Sequence, residues 1–189
     1  MNSRIGKKTV SNALARLAVQ NVELHGLELS TFLYYTGLLP EELEAAGGRL
    51  AAHKHIRMLR YSDQLLPKDI STLFDLRAAL DAFPDLIALA GNCRNLEAAV
   101  KAFIEYKDII TEIDRIRVTR TAKGFEIDHF DESGIESSLS PFAHFMLLIG
   151  VIRHYLAPNQ YRLSVELTRP PYPAAASIDA RTRSSLQFN

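Results

Sequence analysis

Tryptophan is missing from this chain of 189 residues, cysteine occurs once, and neither sign of charge is in excess. Lys plus Arg and Asp plus Glu number 22 each, for a formal net charge of zero. A domain that grips a phosphate backbone carries a surplus of positive charge, so this segment is not expected to bind DNA by itself. The single thiol, Cys93 in GNCRN, has no partner for an internal disulfide and no CxxC or Cys/His spacing for a redox pair or structural zinc. A reducing compartment follows. The N-terminal MNSRIGKKTVSNALARL is basic but holds no apolar run that would make it a cleaved signal. The apolar run Phe145 to Ile152, bounded by His144 and Arg153, falls far short of the about 20 residues a membrane span requires. The protein is therefore read as cytoplasmic, with no membrane partner.

Catalytic signatures are also lacking. There is no GxSxG, no P-loop and no GxGxxG, and Gly47-Gly48 lacks the downstream lysine and strand context of a phosphate site. Asp128, Asp131 and Glu132 sit together at a hairpin end, where a solvated edge is the ordinary arrangement. His53 and His55, two apart on a helix, point to different faces and cannot share a metal. His129, His144 and His154 are too far apart in sequence for spacing to relate them. No catalytic residue, metal or cofactor is expected.

What the chain does have is 47% apolar residues, enough for one full core. Val10, Leu14, Leu17 and Leu24 recur at helical spacing up to the stop at His25-Gly26. STFLYYTG is a second short helix with Ser30 as cap and Gly37 as terminator, and Pro40 opens a third. Further helices are expected over Arg49 to Leu66, over Asp69 to Phe83 with Pro84 as the stop, and over Leu96 to Ile110 with Asn95 as cap. The first two helices imitate a helix-turn-helix. TFLYYT, however, offers no Arg, Lys, Asn or Gln to base edges, so a packed helical hairpin is expected instead.

The period then changes to two. Ile116 and Val118 alternate with Arg117 and Thr119, and after an Ala-Lys-Gly turn Phe125 and Ile127 alternate with Glu126 and Asp128. This predicts a hairpin in which Arg117, Arg120 or Lys123 pairs with Glu126 or Asp128. Ser140-Pro141 opens a helix that is apolar almost all round and stops before Pro158. Tyr161, Leu163, Val165 and Leu167 are the inner face of a third strand, expected to close the sheet before TRPPYP turns the chain away. The fold class is α+β: an N-terminal helical bundle, then a small antiparallel sheet in strand, strand, helix, strand order packed on helices. Residues 1–189 are read as one α+β domain, with 1–66 a helical annex.

Phe103, Tyr106, Phe142 and Phe145 lie on the two helices that bracket the hairpin, and His144 sits within the greasier of them. Such side chains fill a core or line a small apolar pocket with one polar tip. As a candidate ligand site these five are named together, with His144 needing a polar partner if buried.

The order of segments resembles that of AraC-type transcriptional regulators. The run FPDLIALAGNCRNLEAAVKAFIEYKDIITEID, with Asn92, Leu96-Glu97-Ala98 and Tyr106-Lys107, is similar to the family's turn, helix and aromatic-basic pair. GLELSTFLYYTGL, the helix ending in IRHYL and the strand YRLSVELTRPPYP extend the likeness over most of the chain, and RTRSSLQFN resembles the start of the family's closing strand. The resemblance implies the N-terminal arabinose-binding-like domain, which senses an effector and mediates dimerisation. It also implies DNA binding only through a C-terminal helix-turn-helix domain not in this chain. The helix-rich pattern differs from the cupin-like jelly roll of the arabinose regulator itself, so the implied effector is an apolar small molecule rather than a sugar. The alternatives are a stand-alone helical interaction module or an enzyme, the latter requiring that His144, His129 and a carboxylate meet in a cleft.

Overall fold

The computed structural model describes residues 7–65, 76–122, 124–131, 139–156, 164–167 and 185–188. Strand β1 (Thr9–Ser11) runs into helix α1 (Asn12–Leu24), and Ser11 serves both, its hydroxyl oxygen accepting the Ala13 N–H at 3.2 Å. Helix α2 (Leu29–Thr36) ends at Gly37, whose φ of 70° is the left-handed conformation the sequence requires there. Its start differs from expectation. Glu28, not Ser30, is the N-cap, and the Ser30 and Thr31 hydroxyls donate to the Glu28 carboxylate. Helix α3 (Pro40–Glu44) has Pro40 in its first turn as expected.

The expected helix from Arg49 begins later. Arg49–Ala51 is a strand, β2, antiparallel to β1 with Val10 opposite Leu50, and helix α4 (Ala52–Leu65) follows it. Val10 also bridges to Thr111, which binds this N-terminal ribbon to the middle of the chain. Helix α5 (Leu76–Asp81) is the described end of the helix expected from Asp69; residues 69–75 lie outside the described set. Pro84 ends one helix and opens another, α6 (Pro84–Gly91), because a residue without an N–H costs nothing at a first helical position. Helix α7 (Leu96–Tyr106) is capped by Asn95, which accepts the Ala98 N–H at 2.9 Å. It yields to a 3-10 turn at Lys107–Ile109 instead of running on to Ile110.

Strands β3 (Asp114–Thr121) and β4 (Gly124–Asp131) form the expected hairpin, with Ile116 opposite His129 and Val118 opposite Ile127. Arg117 pairs with Asp128 across it at 2.8 Å, while Arg120 reaches Glu97 on α7 and stacks over Phe125. Helix α8 (Leu139–Tyr155) packs behind the hairpin. The third strand is present as β5 (Ser164–Leu167), but its described partner is β6 (Ser185–Phe188), alongside in parallel. It does not extend the hairpin: the described strands make three separate pairs, and alternation marks the two faces of β5 without choosing its neighbour. The expected inner face at Tyr161 and Leu163, and the TRPPYP turn, fall outside the described residues.

Helices with antiparallel pairs give the α+β class. The main core joins Phe83, Leu86, Ala90, Val100 and Phe103 to Leu147, Leu148 and Val151 of α8. A second, N-terminal core holds Val22, Phe32, Leu38, Leu50 and Met58. Helix α1 contributes Ala13 to the first and Ala15 and Val22 to the second, so its two faces join them.

Candidate functional site

The alternation that builds the hairpin places every second side chain of β3 on its inner face. Carried one step back from Ile116, that face reaches Asp114, which is 2% exposed at the strand's first residue. A lone carboxylate there would cost several kcal/mol in lost hydration, so it must be paired. It is paired on both oxygens.

Asp114 Oδ1 accepts the Lys107 ammonium at 2.8 Å, and Lys107 also donates to the carbonyls of Thr111 at 3.0 Å and Asp114 at 2.5 Å. Asp108 adds an ion pair to Lys107 from the surface at 2.8 Å. This is why α7 stops where it does: the tight turn at Lys107 swings its side chain inward toward the strand it precedes. Asp114 Oδ2 faces two imidazoles, His129 Nε2 from β4 at 3.4 Å and His144 Nε2 from α8 at 3.6 Å. The two rings lie 5.3 Å apart, with Phe145 beside His129 at 6.2 Å. Burial raises the Asp114 carboxyl, yet His129, the charge of His144 and Lys107 outweigh it and hold the group far below the usual carboxylate range. His55 of α4 is buried close by, and its own desolvation lowers it to about 4 despite the attraction of Asp114.

His144, His129 and a carboxylate therefore do meet, in a buried cluster built from β3, β4, α8 and the 107–109 turn. Of the five residues singled out in the sequence, His144 and Phe145 come together around His129. Phe103 is wholly inside the main core, and Tyr106 is 45% exposed on the outer face of α7. Phe142 falls in the first turns of α8, with its side chain outside the described set. Asp114 and Lys107 are not among the site residues that the sequence singles out. The signal was a charged residue continuing the apolar face of a strand, with a lysine seven positions earlier.

A separate cleft of about 810 Å³ opens between α1 and the α5–α6 segment, lined in part by Ser11, Arg16, Gln20, Asp81, Phe83 and Ile109. Its size suits a small organic molecule. Arg16 is tied down by Asn12 Oδ1 at 2.9 Å and the Leu43 carbonyl at 3.1 Å, so it forms a fixed wall. Ile109 connects the cleft to the buried cluster, being two residues from Lys107, and the adjoining Ile110 carbonyl accepts the Ser11 N–H at 2.8 Å. Among the described residues no helix is long and apolar enough to cross a membrane.

A comparison with curated proteins finds no match. The family model described as the arabinose-binding domain of AraC transcription regulators, N-terminal, matches residues 26–189. That span takes in the cluster and much of the cleft wall, and the chain thus belongs to the family of N-terminal ligand-sensing domains of AraC-type transcription regulators.

Proposed function

We propose that this chain is the effector-sensing and dimerising domain of a bacterial AraC-type regulator, working in the cytoplasm and carrying out no reaction of its own. The family match over residues 26–189 carries the reading. In it, a small molecule occupies the cleft beside α1 and shifts the domain between two states, which it can do only by binding one of them more tightly. Ile109 gives that occupancy a route to the Lys107–Asp114 pair. DNA is contacted through a helix-turn-helix domain that follows this one.

Dimerisation is supported by a run of exposed large side chains on neighbouring elements: Leu24 at the end of α1, Tyr34 and Tyr35 on α2, and Leu39 before α3. Tyr34 is 81% exposed, and an apolar surface of this kind is best explained by a partner. Sequencing the reading frame downstream of Asn189 tests the regulatory reading. A pair of helix-turn-helix units is the expected result, and an unrelated sequence or a stop would overturn it.

A further inference from the structure

We propose that Asp114, His129 and His144 form a binding site for a divalent transition-metal ion of the zinc type. One donor atom from each residue lies within 4.8 Å of the other two. The Asp114 Oδ2 distances, 3.4 Å to His129 Nε2 and 3.6 Å to His144 Nε2, are long for hydrogen bonds of about 2.7–3.2 Å. They match a coordination edge instead. Donors bonded at about 2.0–2.1 Å in a tetrahedron sit about 3.3–3.4 Å apart, so the two edges that meet at Asp114 Oδ2 are already near the spacing an ion requires.

The surroundings fit as well. Two imidazoles and one carboxylate are a borderline donor set, suited to zinc, cobalt or ferrous ions and poorly suited to calcium or magnesium. The carboxylate is oriented by its other oxygen, held by Lys107 at 2.8 Å, the kind of outer partner that fixes a ligand in place. Lys107 brings a positive charge, but Asp108 pairs with it at 2.8 Å. The two carboxylates and one ammonium then sum to a single negative charge before a cation enters. His55 is also buried, interacts electrostatically with Asp114 and His144, and has a ring nitrogen, Nδ1, without a hydrogen-bond partner among the described residues. A fourth position is open to water. Because the ligands come from β3, β4 and α8, an ion there would fasten the hairpin to the helix behind it. This site stands independently of the sensing role.

The test uses the purified chain, stripped with a chelator and titrated with Co²⁺. The expected result is the intense visible absorption of tetrahedral Co²⁺, saturating at one ion per chain and abolished by competing Zn²⁺. His129→Gln and His144→Gln each remove that absorption and weaken binding by well over about tenfold, whereas His53→Ala and His154→Ala, on exposed histidines, leave it intact. Should the first two variants fail to fold by circular dichroism, imidazole ¹⁵N shifts of the wild-type chain on adding Zn²⁺ decide the matter, with His129 and His144 expected to move. No saturable absorption, absorption that survives both substitutions together, or shifts confined to the exposed histidines would overturn the proposal. A chain that binds Co²⁺ without a downstream helix-turn-helix pair would keep this site and lose the regulatory reading, and the reverse outcome would do the opposite.

Discussion

Lys107 Nζ lies 2.8 Å from Asp114 Oδ1, with the lysine side chain 7% exposed and the aspartate side chain 0%. Seven residues apart in sequence, the two close the segment that leads from helix α7 into the hairpin. The three N–H groups of the ammonium are used on the Asp114 carboxylate and two backbone carbonyls, and Asp108 adds an ion pair. The pair is consequently worth far more against the loss of one partner than against replacement of both.

Lys107→Met, measured in chelator, is expected to lower unfolding stability by about 3–5 kcal/mol, because it leaves a buried carboxylate facing carbonyl oxygens. The double substitution Lys107→Met with Asp114→Asn is expected to regain part of that loss. Urea denaturation of the two variants measures the difference. Equal destabilisation by the single and double variants would show that the ion pair is not what the site depends on.

The end of α8 is fastened to the end of α6 by one hydroxyl. Tyr155 Oη lies 2.6 Å from the Ala90 carbonyl oxygen and 2.8 Å from that of Cys93, and it donates to this pair. Tyr155→Phe keeps the ring and removes the donor, with an expected cost of about 1 kcal/mol. Thermal unfolding checks it, and amide exchange at Asn92 to Asn95 should quicken in the variant.

Acid should loosen the N-terminal ribbon. The Glu112 carboxylate accepts the Thr9 N–H at 2.7 Å and the Thr9 hydroxyl at 2.9 Å, and the backbone bond is the main reason its pKa is lowered. A carboxyl depressed on folding stabilises above its unfolded value, and that stabilisation disappears as pH falls through the folded one. Glu112 is 42% exposed, so solvent screening keeps the effect under about 1 kcal/mol. Glu112→Gln should therefore be slightly less stable than wild type near neutrality. The two should converge as pH falls through the lowered folded-state pKa of Glu112, below which both side chains are uncharged.

Local chemistry was legible in the sequence. Asn95 as a cap, Gly37 as a left-handed stop, Pro40 in a first turn and the β3–β4 hairpin each depend on a few adjacent residues, and each is found. What depends on distant partners was not. Strands β1 and β2 are three residues each, too short to show a period, and exist because Val10 finds Leu50 and Thr111. Pro84 marks a stop in the sequence because proline breaks a helix it enters, but the same residue opens α6, where its missing N–H costs nothing. The alternation of β5 predicts a strand but carries no information about its neighbour, which is β6 and not the hairpin. The buried cluster shows the same division. His144 stood out as polar within an apolar helix, but Asp114 and His129 become its companions only once the hairpin register is known.

The central claim, a dimerising sensor, is tested most directly by joining residues 1–189 to a DNA-binding domain that represses its operator only as a dimer. The account predicts repression well above that of the DNA-binding domain alone, and its loss on Tyr34→Glu, which puts a charge on the exposed α2 surface while leaving the fold intact. Repression no greater than background, with the fusion folded and present at equal abundance, would contradict it.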